Sequence, residues 1–184
     1  AGGGGKGMRA VFKETEFINS LNEVRREAKN VFGDDRIIIE KYIESGRHIE
    51  VQILGDNTGN IFHLFERECT IQRRYQKIIE ETPSIVLDKN LRKDMLECAM
   101  QIGKKLRYKS LGTVEFIYDN KTKKFFFLEV NTRIQVEHPV TEEITGVDLV
   151  GLQLKIAQGE KIKLNQGDIK SEGYAIEARL YAEN

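Results

Sequence analysis

The chain has 184 residues, and its 29 lysines and arginines balance its 29 aspartates and glutamates. This length suffices for one domain or two small lobes, and the balanced charge disfavours a nucleic-acid-binding protein, whose affinity comes largely from neutralising phosphates. We find no apolar run long enough to span a membrane and no secretory signal pattern, so we expect neither a membrane protein nor a secreted one.

The first half of the chain is predicted to form one helix followed by strands. Apolar residues recur at helical spacing over residues 14–32, and Gly33 ends the pattern. Residues 36–43 contain a short apolar run that predicts a strand. Residues 47–54 alternate, which predicts a strand with two distinct faces, and a partner strand at 61–65 follows a turn. One face carries Ile49, Val51 and Ile53, and the other carries His48, Glu50, Gln52 and Leu54. Strand-like sequence then continues to about residue 81.

The second half is predicted to combine helices with a β-hairpin. Pro83 and Asp88 introduce a helix that carries apolar residues on one side. A hairpin follows, with strands at 113–118 and 125–131, and leads into a polar loop. A helical region is predicted near 147–157 and a last strand near 174–181.

This mixture of hairpins and helices indicates an α+β fold with antiparallel sheets. A division near residue 83 predicts two lobes, residues 1–83 and 84–184. Because the chain opens inside a glycine run, and such loops normally join flanking elements, we expect it to be a truncated fragment with any targeting segment upstream.

The opening glycine run is compatible with phosphate binding. Gly2, Gly4 and Gly7 fit the G-x-G-x-x-G pattern, but no strand precedes them, as a dinucleotide site would need. Lys6 is followed by glycine and not by serine or threonine, which excludes a Walker A loop. Glycines let backbone N–H groups approach phosphate oxygens. A phosphate-binding loop and a flexible linker both remain open for this segment.

Two glutamates of the predicted hairpin face each other. A turn near residue 121 brings Glu115 opposite or diagonal to Glu129, and Phe127, Glu129 and Asn131 are predicted to share a face. Both acids stand among apolar residues, so we expect at least partial burial. Facing like charges destabilise a hairpin, and a divalent cation such as Mg²⁺ would remove this cost. Separate pairing of each acid with a lysine or arginine is the alternative.

Polar side chains occupy every second position after the hairpin. If the chain stays extended, they project to one side and combine metal ligands, a guanidinium group for a planar anion and a candidate base. A half-exposed strand shows the same period, but its polar face would more usually consist of lysine, glutamate and threonine. These polar residues are Glu129, Asn131, Arg133, Gln135 and Glu137.

Other charged residues allow two interpretations. Arg73 and Arg74 are typical of an exposed strand, whereas Lys77 is ambiguous by pattern. His48 fits either a nucleotide contact or a structural role, and the other two histidines are taken as structural. The two cysteines show no metal-ligand spacing, which is typical of proteins of a reducing compartment.

Five segments together closely resemble the biotin carboxylases of the ATP-grasp superfamily, and the resemblance spans essentially the whole chain. The segment that begins at Glu129 is the most specific. The resemblance extends to Glu177-Ala178-Arg179 at the C-terminal end. The five segments are Gly2–Arg9, Glu40–Ile43, Arg47–Gln52, Glu66–Arg74 and Glu129–Glu142.

The resemblance implies an ATP-grasp fold that holds ATP between two lobes. The first lobe would carry a glycine-rich lid, with Gly4 and Gly5 over the phosphates, and Glu115, Glu129 and Asn131 would bind Mg²⁺ or Mn²⁺. Tyr75 stands where many family members have histidine, so we do not count it as a ligand. The remaining nucleotide contacts implied are Glu40, Lys41, Tyr42 and Ile43 at the adenine, and His48 and Gln72 near the ribose and phosphates.

The resemblance also implies the reaction. Lys77, Arg133, Gln135 and Val136 would bind bicarbonate, and Glu137 would deprotonate it for attack on the γ-phosphate of ATP. The carboxyphosphate formed would release CO₂. Arg179 would stabilise the biotin enolate that captures it, as an enolate needs a fixed positive group.

The implied partners are a biotin carboxyl carrier protein or domain, a carboxyltransferase domain or subunit, and a second copy in a homodimer. The implied compartment is the cytoplasm or the mitochondrial matrix. Two alternatives stay open: another bicarbonate-phosphorylating ligase of the carbamoyl phosphate synthetase kind, and a nucleotide-binding module without catalysis or a purely structural lobe. The final carboxyl acceptor is not determined by these residues, and we expect little turnover from the fragment alone.

Overall fold

The computed structural model describes residues 7–182, which form an α+β fold. A short 3₁₀ helix, Gln166–Asp168, precedes the last strand. No helix of the described residues is both long and apolar enough to cross a membrane. In chain order the other elements are α1 Glu14–Phe32, β1 Gly46–Gly55, β2 Ile61–Arg73, β3 Gln76–Thr82, α2 Lys89–Lys105, β4 Ser110–Asp119, β5 Lys124–Asn131, α3 His138–Thr145, α4 Leu149–Ala157 and β6 Ala175–Ala178.

All six strands belong to one sheet, in the order β5-β4-β1-β2-β3-β6. β1 lies inside the sheet and pairs antiparallel with β2 on one side and with β4 on the other. In this register Glu50 of β1 lies opposite Arg67 of β2 and opposite Glu115 of β4. Residues paired across neighbouring strands share a face, so the sheet brings these three charged side chains together.

The alternation of β1 divides its side chains between the two faces of the sheet, as predicted. Ile49, Val51 and Ile53 are fully buried in one apolar cluster with residues of α2, such as Met95. Leu54 belongs to a second cluster with residues that include Leu149 and Ile156 of α4. Burial of apolar surface on both faces therefore fixes the strand between two layers of helix.

The two long helices confirm the sequence prediction. α1 ends where Gly33 adopts the left-handed conformation, with φ of 74°. α2 begins after Asp88, whose carboxylate accepts hydrogen bonds from the backbone N–H groups of Asn90 and Leu91, both at 2.9 Å. Local capping chemistry thus sets both boundaries.

Two local predictions are wrong, and one helix was not predicted. Residues 36–43 form no strand and lie outside the six-stranded sheet of the described residues, and Ile38 and Ile39 are 82% and 74% exposed. The polar segment is extended only as far as Asn131, where β5 ends. The helix α3, which sequence reasoning missed, starts directly after Glu137 with a proline in its first turn and ends at Gly146 in the left-handed conformation.

The chain divides into two compact units. Within the described residues, one unit comprises 7–44 and 72–76, and the other comprises 45–71 and 77–182. The predicted lobe boundary at residue 83 stays a prediction.

Candidate active site

Three strands of the larger unit place charged side chains at one point of the sheet. Glu50 and Arg67 are both fully buried, and Glu115 is 4% exposed. Nε of Arg67 donates to Oε1 of Glu50 at 2.6 Å. Two acids this close in a buried place need further positive charge, since an unpaired buried carboxylate is strongly destabilising.

Lys77 of β3 supplies that charge. Its Nζ donates to Glu50, to Oε1 of Glu115 at 2.8 Å and to Oε1 of Glu137 at 2.7 Å. Its side chain is only 12% exposed. Burial opposes the charged form, but the carboxylates around it raise the pKa of Lys77 above its ordinary value, so the ammonium stays charged.

Glu115 is held ionised by its neighbours. Nε2 of His48 lies 3.0 Å from Oε2 of Glu115, and Nδ2 of Asn131 donates to Oε1 at 2.8 Å. Although burial opposes ionisation, the hydrogen bonds and charges of His48 and Lys77 lower the pKa of Glu115 to about 2. At neutral pH this side chain is an acceptor only.

Glu137 bridges two cations. It lies between the polar loop and α3 and is 1% exposed. While its Oε1 accepts from Lys77, its Oε2 accepts from Nη2 of Arg179 at 2.9 Å. Arg179 also donates through Nε to Glu80 at 2.7 Å. Burial opposes the charged form, but Glu80 and Glu137 raise the pKa of Arg179.

The predicted pairing of the hairpin acids is confirmed, because Glu115 lies directly opposite Glu129. Two details of that prediction are wrong. Glu129 is exposed, since β5 is an edge strand of the sheet. The register shifts after this pair and sets Phe127 opposite Phe116, with ring centroids 6.4 Å apart, so Phe127 does not share the face of Glu129.

The oxygen donors fit a hard divalent cation, although the reason differs from the predicted one. Lys77 already pairs with Glu115, so a cation is not needed to keep it buried. Glu129 has no ion pair among residues 7–182, and its Oε1 lies 3.5 Å from Nδ2 of Asn131. Carboxylate and amide oxygens on neighbouring strands are ligands that Mg²⁺ accepts.

Parts of the polar loop approach the same point without forming a strand. Gln135 is 6% exposed, and its Nε2 lies 3.5 Å from Oε1 of Glu115. Arg133 is exposed and donates through Nη1 to Oε1 of Gln135 at 3.0 Å. Val136 is 57% exposed at the loop surface. The loop thus presents Arg133 and Val136 outward and turns Gln135 and Glu137 inward.

Several predicted nucleotide contacts belong to the smaller unit. Glu40, Lys41, Tyr42 and Ile43 lie in a segment without regular secondary structure, where the ring of Tyr42 packs edge-on against Phe12 at 5.5 Å. Gln72 is also part of this unit. Gly4 and Gly5 lie outside the described residues.

Sequence reasoning missed three members of the charge cluster: Glu50, Arg67 and Glu80. All three are fully buried ionisable groups. The sequence did place Glu50 on the same face of β1 as His48, which could have marked it as a candidate. Its partners Arg67 and Glu115 become apparent only from the pairing of β1 with the neighbouring strands.

The similarity of this α+β domain to solved biotin carboxylase structures places it in the ATP-grasp class. The family model of the carbamoyl-phosphate synthase L chain, ATP-binding domain, matches residues 1–165. The chain belongs to this family.

Relatives and solved structures agree with this assignment. Biotin carboxylase 1 of Bacillus subtilis is 52% identical over 184 residues, which are 100% of this chain and 41% of that protein. The mitochondrial methylcrotonoyl-CoA carboxylase subunit alpha of Rattus norvegicus is 55% identical over 183 residues, 100% of this chain and 26% of that protein. The chain therefore spans between a quarter and about two-fifths of these relatives.

The described fold is also similar to biotin carboxylase structures. The biotin carboxylase of Campylobacter jejuni, in a βγ-ATP complex, aligns with a TM-score of 0.92 and 44% identity, covering 97% of this chain and 40% of that one. The biotin carboxylase domain dimer of Hydrogenobacter thermophilus 2-oxoglutarate carboxylase, solved with MgADP, ADP and bicarbonate, aligns with a TM-score of 0.91 and 48% identity, covering 97% and 39%.

Proposed function

We propose that the protein containing this chain carboxylates biotin with ATP and bicarbonate, and that this chain supplies the metal and bicarbonate part of its active site. The observation that carries the proposal is Glu137, a buried carboxylate with Lys77 on one oxygen and Arg179 on the other. Relatives named biotin carboxylase, and similar structures solved with nucleotide and bicarbonate, support it.

Bicarbonate binds beside the cationic side chains of Lys77 and Arg179. Lys77 and Arg133 provide positive charge, and Gln135 and Val136 complete the anion site. Glu137 takes the proton of bicarbonate, for which its two anchored oxygens orient it. An oxygen of the resulting carbonate then bonds to the γ-phosphorus of ATP while the bond to the bridging oxygen of ADP breaks.

The carboxyphosphate so formed releases CO₂ and phosphate. That phosphate takes the proton from the biotin N–H, which leaves an enolate whose nitrogen bonds to CO₂. Arg179 stabilises the enolate oxygen, because a fixed guanidinium in a partly buried place stabilises developing negative charge. The exposed fraction of its side chain is 20%, so one side of the group remains open to a ligand.

Three side chains would hold the divalent cation: Glu115, Glu129 and Asn131. Asn131 would turn its amide oxygen toward the ion, since its nitrogen now faces Glu115. When bound, Mg²⁺ or Mn²⁺ supplies positive charge to the phosphates of ATP.

Further residues hold the nucleotide. Gly4 and Gly5 cover the phosphates, and the segment Glu40–Ile43 contacts adenine. His48 and Gln72 approach the ribose and phosphates. Glycine suits its role because its backbone N–H groups can approach phosphate oxygens without a side chain in the way.

The remaining parts of the reaction belong to the longer protein. A biotin carboxyl carrier protein or domain presents biotin, and a carboxyltransferase passes the carboxyl group to an acceptor. The full-length domain pairs with a second copy, as the biotin carboxylase domain of the Hydrogenobacter thermophilus enzyme does. The enzyme works in the cytoplasm or the mitochondrial matrix.

A second candidate is a carbamoyl phosphate synthetase-like ligase, and the name of the matching family model favours it. Both enzymes would phosphorylate bicarbonate, so the acceptor separates them. ADP release by the intact protein that rises with ammonia but not with free biotin would support the second candidate. Binding of Mg·ATP by calorimetry without any ADP production would instead indicate a non-catalytic module.

The metal assignment is tested by Glu129→Gln in the intact protein. This change removes one charged oxygen ligand from an exposed position, so we expect loss of Mg·ATP-dependent biotin carboxylation with little change in stability. Glu97→Gln, at a residue of α2 whose side chain is 56% exposed, is the matched control and should retain activity. Carboxylation retained by Glu129→Gln would overturn the metal assignment.

A further inference from the structure

Arg67 is a fully buried arginine at the back of the charge cluster. Its guanidinium group bonds side chains of three other elements. Besides Glu50, it donates through Nη1 to Oε1 of Gln52 at 2.7 Å and to Oγ1 of Thr141 at 2.9 Å, and through Nη2 to Oγ1 of Thr113 at 3.3 Å. These bonds hold the planar guanidinium group of Arg67 in one orientation.

Thr141 connects Arg67 to the candidate base. It is 1% exposed and lies in the first turn of α3, four residues after Glu137. Because one helical turn contains 3.6 residues, the bond from Arg67 to Thr141 fixes the end of the helix from which Glu137 projects. The hydrogen bond from Arg67 of β2 to Thr141 therefore attaches the first turn of α3, next to Glu137, to the sheet.

Glu50 connects Arg67 to the candidate bicarbonate lysine. One carboxylate oxygen of Glu50 accepts from Arg67, and the other accepts from Lys77. Arg67 and Lys77 both lower the pKa of Glu50 against the opposing effect of burial, so this carboxylate stays charged. Arg67 thus fixes the position of an anion against which Lys77 rests.

We infer that Arg67 is a positioning residue for bicarbonate phosphorylation, acting on Glu137 through Thr141 and on Lys77 through Glu50. The inference rests on the proposed function. Arg67 itself has no exposed surface and cannot touch a substrate, so its effect must pass through these two contacts. The consequence is a selective one: loosening α3 disturbs the handling of bicarbonate and leaves nucleotide binding unchanged.

Two threonines allow a matched test. Thr141→Val removes the hydroxyl that ties α3 to Arg67, and Thr113→Val removes a hydroxyl of β4 that accepts from the same guanidinium group but does not hold α3. Both residues are buried, so each change removes one buried hydrogen bond of similar kind. Thr141→Ser keeps the hydroxyl and serves as the conservative variant.

The measurement is bicarbonate-dependent ADP release by the intact protein, with KM determined separately for bicarbonate and for ATP. For Thr141→Val we expect kcat/KM for bicarbonate to fall about 10-fold to 100-fold, the effect of misplacing a reacting group by about 1 Å. KM for ATP should stay unchanged, and Thr141→Ser should recover most of the loss. Thr113→Val should retain the wild-type ratio of the two KM values.

The outcomes separate the inference from the proposed function. If the wild-type protein shows no bicarbonate-dependent ADP release, the proposed function fails and the inference fails with it. If the wild type is active and both valine variants alter the kinetics alike, or Thr141→Val affects ATP and bicarbonate equally, then Arg67 has a structural role alone. Should Thr141→Val not fold, Thr141→Ser and Thr141→Ala are compared in the same assay, and equal kinetics would overturn the inference.

Discussion

Replacing Lys77 by methionine removes an ammonium group that contacts three buried carboxylates: Glu50, Glu115 and Glu137. Methionine keeps much of the length of the side chain but none of its charge. Arg67, His48 and Arg179 still contact these acids, yet the acids then face each other across an uncharged side chain. Mutual repulsion of the acids is therefore the main effect of the change.

The expected loss of stability in Lys77→Met is large. Removing one partner of a buried ion pair typically destabilises a protein by about 3–5 kcal/mol. The pKa of Glu115 gives a comparable scale: its fall from the ordinary 4.5 to about 2 corresponds to about 3 kcal/mol, to which His48 and Lys77 both contribute. We expect Lys77→Met to lower the free energy of unfolding by about 3–5 kcal/mol at pH 7.

The loss of stability in Lys77→Met should depend on pH. Because the folded-state pKa of Glu115 lies below its ordinary value, ionisation of this group stabilises the fold above about pH 4.5, and this contribution is lost as the pH falls towards about 2. In the variant the pKa values of Glu50 and Glu115 rise, so protonation relieves their repulsion at a higher pH. The difference between wild type and variant should therefore shrink as the pH falls from 7 to 4.

Urea unfolding followed by circular dichroism, at pH 7 and at pH 4, measures both the loss of unfolding free energy and its dependence on pH. Lys93→Met is the matched control, since the Lys93 side chain is 71% exposed and pairs with Glu97 on the same helix face. We expect that control to change stability by less than about 0.5 kcal/mol. Equal stability of Lys77→Met and wild type at pH 7, or a penalty that does not vary with pH, would refute this reasoning.

Two further predictions concern catalysis and folding. Arg179→Ala in the intact protein should reduce biotin carboxylation more than the slow bicarbonate-dependent ATPase, because its proposed role is at the biotin enolate; an equal loss of both activities would contradict that role. Asp88→Ala should lower the free energy of unfolding by about 1 kcal/mol through loss of the α2 cap, whereas Asp94→Ala, within the same helix, should change it by less than about 0.5 kcal/mol. Equal effects of the two changes in urea unfolding would count against the cap.

Where local chemistry dominates, the sequence predicted the structure well. The caps at Gly33 and Asp88 set helix boundaries through contacts with the neighbouring few residues. The alternation of β1 and the short turn after β4 likewise predicted which side chains of β1 share a face and that Glu115 faces Glu129. Hydrophobic periodicity and turn length depend on a few neighbouring residues, so they can be recognised in the sequence without knowing the rest of the fold.

The errors arose where a distant partner decides the outcome. Residues 36–43 have the composition of a strand but lie outside the six-stranded sheet of the described residues, and whether such a run joins a sheet depends on a neighbouring strand that can bond its backbone groups. The register shift in β5 moved Phe127 to the other face, where it lies opposite Phe116 of the neighbouring strand. Neither effect has a local signature.

By itself, the sequence determined an α+β fold, the facing hairpin acids and the resemblance from which the site residues were taken. Only the tertiary structure decided that Lys77 lies among three carboxylates, 60 positions from Glu137 in the chain, and that Arg179 joins Glu137 to Glu80 across the sheet. The physical reason is the strand order: β1 lies between β2 and β4, with β3 and β6 beyond β2. This order gathers charges from distant segments into a place where each must be paired.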